Sequence, residues 1–486
     1  MQDYFKTFRD NTVGNEVLYK TPYGEKPLIY ADWIASGRLY HPIEERLLQK
    51  FGPFIGNTHT ETSETGTMMT KSYHLAQKLI KQHVNAGPDD VILTTGFGMT
   101  GAIVKFQRIL GLKSCGKLLG SHCIHENDHP VVFLTHMEHH SNQTSWYETY
   151  AEVVVLAPDK DLLVDPAELR AQLEKYKDRK FKIGSFTACS NVTGITTPIH
   201  QLARIMHEYG GVCFVDYAAS APYSTIDMHP ADVMEKLDAI YFSPHKFLGG
   251  PGASGVLIFD RKMYKLESPD QPGGGTVEWT NPWGEYKFID DIEMREDGGT
   301  PGFLQAFKSA LSIEVKNKMG VENIQKREKE LTDNAFRELD NVPGLHILAE
   351  NVPNRLGIIS FYMDDIHFNL VVKLLSDRYG VQVRGGCACA GTYGHYLLNV
   401  SHEKSRKITT RINYGDLSEK PGWIRLSLHP TMTDSELETI VKGLHEIRSK
   451  CRSWIQDYNY NKHTNEFRHI SEHGERDELV NSWFSL

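Results

Sequence analysis

Nowhere in its 486 residues does the chain hold a run of about 18 apolar residues, the length a membrane-spanning helix needs, so no membrane partner is expected. It also lacks an excess of positive charge: 53 Lys and Arg stand against 62 Asp and Glu, for a net charge of -9. Gripping nucleic acid through a basic face takes clustered Lys and Arg, so no nucleic-acid partner is expected either. Cysteine is sparse. Of the seven, Cys115, Cys123, Cys189, Cys213, Cys387, Cys389 and Cys451, only Cys387 and Cys389 are close in sequence, which argues for free thiols in a reducing compartment rather than a disulfide scaffold. Residues 1–30 mix polar and aromatic side chains, unlike a signal or transit peptide, and a cytoplasmic location is expected. Repeats and low-complexity segments are missing too. What is present is an ordinary globular balance, 40% hydrophobic and 24% charged, in a chain long enough for two lobes.

Along the chain, short apolar runs alternate with helical periodicity. Strands are predicted at residues 27–30, 90–95, 131–134, 152–156, 183–187 and 212–216, and helices at 102–110, 166–176 and 199–209. Such alternation marks a mostly parallel α/β sheet covered by helices. A helical stretch at 303–339 leads to a second lobe with strands at 356–361, 381–383 and 423–428 and helices at 368–379 and 434–447. Residues 399–421 read as a polar interruption, and the tail from Cys451 carries no assignable function.

Residues 238–259 set Lys246 between two apolar runs, 239–242 and 256–259, on a turn rich in glycine and proline. A lysine walled in this way can lose hydration, which lowers its pKa and suits it to imine chemistry; in isolation it reads first as a solvated hairpin residue. Its company decides. Asp216 ends an apolar strand, where a carboxylate is costly without a cationic partner. His139 and His140 follow the strand 131–134 at its carboxyl end, where open parallel sheets place their ligands. The turn 96–101 joins a strand to a helix and offers free N–H groups to a phosphate, although no Gly-Lys-Ser/Thr ends it. The crowded His and Cys of residues 121–129 lack paired ligand spacing and read as a polar loop, so no metal is expected. The threonine-rich loop 56–66 carries His59 as a substrate-side candidate. A lysine for an aldehyde, an aspartate for a ring nitrogen, a histidine for a ring face and a turn for a phosphate together meet the needs of pyridoxal phosphate.

With these residues the chain resembles the class V aminotransferase family, in particular its cysteine desulfurase and selenocysteine lyase branch, over roughly residues 29–447. The resemblance implies the fold-type I architecture: a large domain with a mixed, mostly parallel seven-stranded sheet over 29–305, and a smaller α/β domain from 1–28 and 306–486. Ser243-Pro-His-Lys246 matches the family's lysine motif, so Lys246 would hold pyridoxal phosphate as an imine while Ser243 and His245 bind its phosphate. Asp216 would contact the pyridine nitrogen and His139 would stack on the ring. Asn191 would face the phenolic oxygen alone, because Ala219 stands where the family often has glutamine. Met99 and Thr100 fall on the phosphate turn. Thr300 resembles the residue that reaches the neighbouring subunit's phosphate, which implies a homodimer with its site completed across subunits. Arg425 resembles the clamp for the substrate carboxylate, alongside His59 and Asn191, and Cys389 aligns with the sulfur-accepting cysteine, with Arg384 near enough to favour its thiolate. Cys387 is an extra thiol, and the 36 residues from Cys389 to Arg425 imply an enlarged loop.

The reaction so implied removes sulfur from L-cysteine, or selenium from selenocysteine, and leaves alanine. Lys246 moves the α-proton and Cys389 takes the sulfur as a persulfide for an acceptor protein. Two alternatives stay open: a class V transaminase, epimerase or other lyase on a small amino acid that leaves the cysteines idle, and a non-catalytic thiol or metal carrier using Cys387 and Cys389.

Overall fold

A computed structural model describes residues 1–96, 98–113, 129–472 and 474–485. Seven strands build the main sheet: β1 (Asp90–Thr95), β2 (Val131–Leu134), β3 (Glu152–Val155), β4 (Lys182–Thr187), β5 (Val212–Asp216), β6 (Ala239–Phe242) and β7 (Gly255–Asp260). Their spatial order is β1-β7-β6-β5-β4-β2-β3, and β7 alone runs antiparallel to its neighbours. Every residue of β2, β4 and β6 is buried, as expected of strands covered on both faces. Register aligns Thr187 of β4, Asp216 of β5 and Tyr241 of β6, so the carboxyl ends of the parallel strands share one edge. Because β7 is reversed, its first residue, Gly255, pairs with Thr95 and brings the carboxyl end of β1 to that same edge.

The second sheet is antiparallel, in the order β8 (Leu345–Ile347), β9 (Ile358–Met363), β11 (Trp423–Ser427), β10 (Arg384–Gly386). Helices Val321–Asp340, Phe368–Tyr379 and Asp434–Trp454 carry buried apolar faces, and the last opens on a reciprocal Thr433–Glu436 capping box. The two cores meet along the helix Phe303–Met319, whose Ala306, Phe307 and Ile313 join the first and whose Val315 and Met319 join the second. Residues 29–43, expected in the first unit, contribute Ile29, Ala31, Trp33, Ile34 and Ile43 to the second core, because Ile29–Tyr30 pairs in parallel with Val381–Gln382.

Three elements differ from expectation. The helical stretch 303–339 is two helices, broken at Gly320, whose φ of 76° lies in the left-handed region. The polar interruption 399–421 contains a helix, His402–Asn413, started by the Ser401 hydroxyl accepting from Lys404 N–H. The tail forms a hairpin, Tyr458–Asn461 with Glu466–His469, that braces this insert: Leu417 N–H donates to the Lys462 carbonyl (2.9 Å), and His463 Nδ1 lies 2.8 Å from the Gly415 carbonyl.

Candidate active site

The shared strand edge gathers most of the predicted residues. After β6 the chain enters a single short turn, Pro244–Lys246, which presents Lys246 beside Asp216. Burial lowers the Lys246 pKa to about 8, with the charges of Arg425 and Arg384 pushing the same way and Asp216 and Asp32 opposing. Asp216 is buried, its Oδ1 accepts from Ala218 N–H at 2.8 Å, and burial raises its carboxyl to about 6. Among the described residues no cation is hydrogen-bonded to it.

His139 caps the helix α1 (His140–Tyr147) by accepting Ser141 N–H on Nδ1 at 3.1 Å. Burial, with help from Lys246, His140 and Arg425, lowers its pKa to about 3, so the ring is neutral. Glu138 fixes the turn before it: Oε1 accepts from Thr135 N–H, the Thr135 hydroxyl and Thr187 N–H, and Oε2 from Asn142 Nδ2. Next to it is the turn expected to bind a phosphate. Met99 N–H donates to Ser243 Oγ (2.8 Å), the Thr100 and Ser141 hydroxyls are bonded (2.7 Å), and a Cβ on Gly98 would lie 2.9 Å from Ser243 Oγ and 3.7 Å from the His245 ring. Only a residue without a side chain leaves that cradle open.

From the second core come Arg425 and the cysteine loop. Arg425 is buried, donates from Nη1 to the Asn191 carbonyl (3.2 Å) and from Nη2 to Asp32 Oδ1 (3.0 Å), and leaves a buried Nε–H without a partner. Burial pushes its pKa down. Register sets Arg384 directly opposite Arg425, and Arg384 Nε donates to Asp32 Oδ2 (3.0 Å). Like charges opposite one another on antiparallel strands destabilise a sheet, and Asp32 offsets this by bonding both. Arg384 therefore spends its Nε–H on Asp32.

Cys387-Ala-Cys-Ala390 is a tight turn, closed by Ala390 N–H to the Cys387 carbonyl (3.1 Å), with Ala388 and Cys389 both in the left-handed region at φ 49° and 55°. Each such non-glycine residue costs about 1–2 kcal/mol. The turn is held by the sheet edge: Asn191 Nδ2 donates to the Ala388 carbonyl (2.7 Å), His140 N–H to the Cys389 carbonyl (2.8 Å), and Gly391 N–H to His140 Nε2 (3.0 Å). Cys389 is exposed, whereas Cys387 is half-buried against the first core. Asn191, expected to face the phenolic oxygen, uses one N–H of its Nδ2 on the cysteine loop, and its buried Oδ1 has no hydrogen-bond partner among the described residues. Ala219 is buried in the second core.

Two predicted residues stand apart. Thr300 donates to Asn57 Oδ1 (3.4 Å), and His59 lies against Gly275; neither makes a hydrogen bond or ion pair to the Lys246 cluster among the described residues. Residues 121–128 of the His- and Cys-rich loop lie outside the described residues. Among those described, no group of three or more His, Cys, Asp or Glu could hold a metal. Sequence reasoning missed Asp32, Glu138 and the structural role of His140. Asp32 carried a signal, an aspartate just beyond an apolar strand, the same signal that singled out Asp216.

Lys246, Asp216 and a glycine-cradled turn at the carboxyl edge of a seven-stranded sheet define an enzyme of the fold-type I, pyridoxal-phosphate class. More narrowly, the chain belongs to the class V aminotransferase family, whose description, Aminotransferase class-V, matches residues 29–440. A probable cysteine desulfurase of Halalkalibacterium halodurans is 28% identical over 372 residues, 75% of this chain and 84% of that one. One from Staphylococcus epidermidis is 29% identical over the same shares. Among solved structures, the apo cysteine desulfurase of Thermococcus onnurineus superposes with a TM-score of 0.70 at 22% identity, over 87% of this chain and 95% of that one. A cysteine desulfurase of Escherichia coli, in an S-sulfonic acid form, gives 0.69 at 21%, over 92% and 98%.

The site suits the cofactor of this family. A buried carboxylate without a bonded cation among the described residues can receive a charged nitrogen, the Gly98 turn with Met99, Thr100, Ser243 and His245 has room for an anion, and Lys246 is depressed enough to be partly neutral near pH 8.

Proposed function

We propose that the protein is a pyridoxal-phosphate-dependent cysteine desulfurase that removes sulfur from L-cysteine, releases alanine and carries the sulfur as a persulfide on Cys389. The observation that supports this most is the anchoring of the Cys389 turn to Asn191 and His140, which ties the thiol to the residues around Lys246. The relatives named as cysteine desulfurases point the same way.

Bound here, pyridoxal phosphate supplies an electron sink for the bonds broken at the substrate's α-carbon. Asp216 would keep the ring nitrogen charged, and neutral His139 would pack on the ring. Ser243, His245 and Thr100 would hold the phosphate, with the Met99 N–H positioning the Ser243 hydroxyl. Arg425 offers its unpartnered Nε–H to the substrate carboxylate and orients the amino acid. Lys246, near half-neutral at pH 8, takes and returns the α-proton at Nζ. The Cys389 thiolate attacks the substrate sulfur, and the electrons of the broken carbon–sulfur bond remain with the alanine portion.

Thr300 lies away from this cluster, and its place is explained by a homodimer in which it serves the neighbouring subunit's phosphate. His59, on the neighbouring loop, would border the substrate entrance in such a dimer. A cytoplasmic location accompanies the free thiols.

The test is alanine and sulfide release by Cys389→Ala and Cys387→Ala with cysteine and selenocysteine. Cys389→Ala should lose at least a hundredfold with cysteine and far less with selenocysteine, while Cys387→Ala keeps most of its rate. Undiminished cysteine desulfuration by Cys389→Ala would sink the persulfide step.

A further inference from the structure

A persulfide on Cys389 blocks the next turnover until a second thiol removes it. The balanced step is attack of an acceptor thiolate on the terminal sulfur: the Cys389 sulfur–sulfur bond breaks, a new one forms on the acceptor, and Cys389 leaves as thiolate, with no net oxidant or reductant. Cys389 is exposed but sits in a turn bonded at Ala388, Cys389 and Gly391, so the acceptor must come to the turn.

What the acceptor meets is the insert. After the turn come the short helix α2 (Gly391–Leu397) and the helix α3 (His402–Asn413). They are joined side to side: His395 Nδ1–H donates to the Gly391 carbonyl (2.7 Å), and the Ser405 hydroxyl donates to His395 Nε2 (2.9 Å). At its far end the insert returns to the turn, since the Lys420 charge helps hold the His140 imidazole neutral. In a chain of net charge -9, α3 carries Lys404, Arg406, Lys407 and Arg411 against Glu403 alone. Lys407 pairs with Glu403 within the helix (2.7 Å) and Arg411 with Glu419, but Lys404 and Arg406 make no ion pair or side-chain hydrogen bond among the described residues. Ile408 is the helix's one buried residue, Lys404, Arg406, Lys407 and Arg411 are all exposed, and Tyr414 beyond it is 84% exposed.

We propose that α3 is the docking face for the protein that takes sulfur from Cys389, and that this acceptor presents an acidic surface beside its thiol. The inference rests on the persulfide reading above. Charge complementarity selects the occupant: unpaired Lys404 and Arg406 attract carboxylates, and long-range attraction of this kind raises the encounter rate without adding tight affinity. A single basic helix on an acidic protein is too small a footprint for a polynucleotide.

The test compares the wild type with the double variant Lys404→Glu/Arg406→Glu, using three sulfur acceptors: dithiothreitol, a cysteine hexapeptide rich in Asp and Glu, and the same peptide rich in Lys. Such a peptide spans about 20 Å when extended, enough to touch α3 while its thiol meets Cys389. Both proteins should release alanine equally fast with dithiothreitol. At low salt the wild type should use the acidic peptide at least tenfold more efficiently than the basic one, the double variant should reverse this preference, and both preferences should fade near 1 M salt, where screening acts within about 3 Å. Equal use of the two peptides by the wild type, or an unchanged preference in the double variant, overturns the proposal. So does a changed sedimentation state of the double variant, which would assign α3 to contact between copies of this chain, or arrest of the wild type alone by bulk tRNA, which would assign it to polynucleotides. Failure of the wild type to form alanine with dithiothreitol overturns the desulfurase reading itself, and is told apart because it precedes any peptide comparison.

Discussion

Arg425 and Arg384 face each other across adjacent strands with Asp32 between them, and the burial of the three differs enough to separate their energies. The Arg425 side chain is 5% exposed, that of Asp32 12% and that of Arg384 54%. Removing one partner of a buried pair leaves an uncompensated charge, at a cost of about 3–5 kcal/mol, whereas a half-exposed ion pair contributes about 1 kcal/mol or less. Asp32→Ala should therefore lower the urea-denaturation stability by about 3 kcal/mol and Arg384→Ala by under about 1 kcal/mol; equal losses would show that Asp32 does not compensate Arg425. At this scale the sequence revealed residues whose chemistry shows locally, such as Lys246 on its glycine-rich turn and Asp216 closing an apolar strand. Asp32 carried the same local signal as Asp216, but its role depends on Arg425, 393 positions away, and nothing short of the fold brings the two together.

Gly98 shows how an element's first turn depends on one position. Its φ is 58° and a Cβ there would meet Ser243 Oγ at 2.9 Å, so Gly98→Ala meets both backbone strain and a displaced hydroxyl. The variant should lose about 1–2 kcal/mol of stability from the left-handed backbone alone, and dialysis should strip its pyridoxal phosphate several-fold faster than the wild type's. Retention equal to wild type would show that this turn does not hold the phosphate. The helix begins at Gly98, four residues before the start that periodicity predicted, because Gly98 to Gly101 carry little apolar pattern although the helix already spans them. Strands β2, β5 and β6 were legible because burial on both faces makes them continuous apolar runs. The helix His402–Asn413 was not, since Ile408 is its one buried residue and its start rests on the Ser401 cap.

At the scale of the molecule, the candidate site lies where two cores meet: Lys246, Asp216 and His139 come from the edge of the large sheet, Arg425 and the Cys389 turn from the antiparallel one. The alternation of strands and helices announced both sheets, but not that residues 29–43 would cross over to pack in the second core, because a two-residue strand such as Ile29–Tyr30 has no period to read. This junction makes cofactor occupancy a property of the whole fold, and pH exposes it. In the cofactor-free protein the Asp216 carboxyl has a pKa of about 6, against about 4 in an unfolded chain. The native state then binds the extra proton between pH 4 and pH 6, so this group's contribution to stability is fully present below about pH 4 and is lost as pH rises through 6. Two pH units correspond to at most about 3 kcal/mol. On the proposed reading, loading with pyridoxal phosphate would supply a charged nitrogen that favours the ionised carboxylate and removes this slope. Melting curves should show the cofactor-free wild type losing stability between pH 4 and pH 6 relative to Asp216→Asn, with the difference abolished in the loaded wild type. A loaded wild type that kept the cofactor-free slope would show that Asp216 does not meet the cofactor's nitrogen.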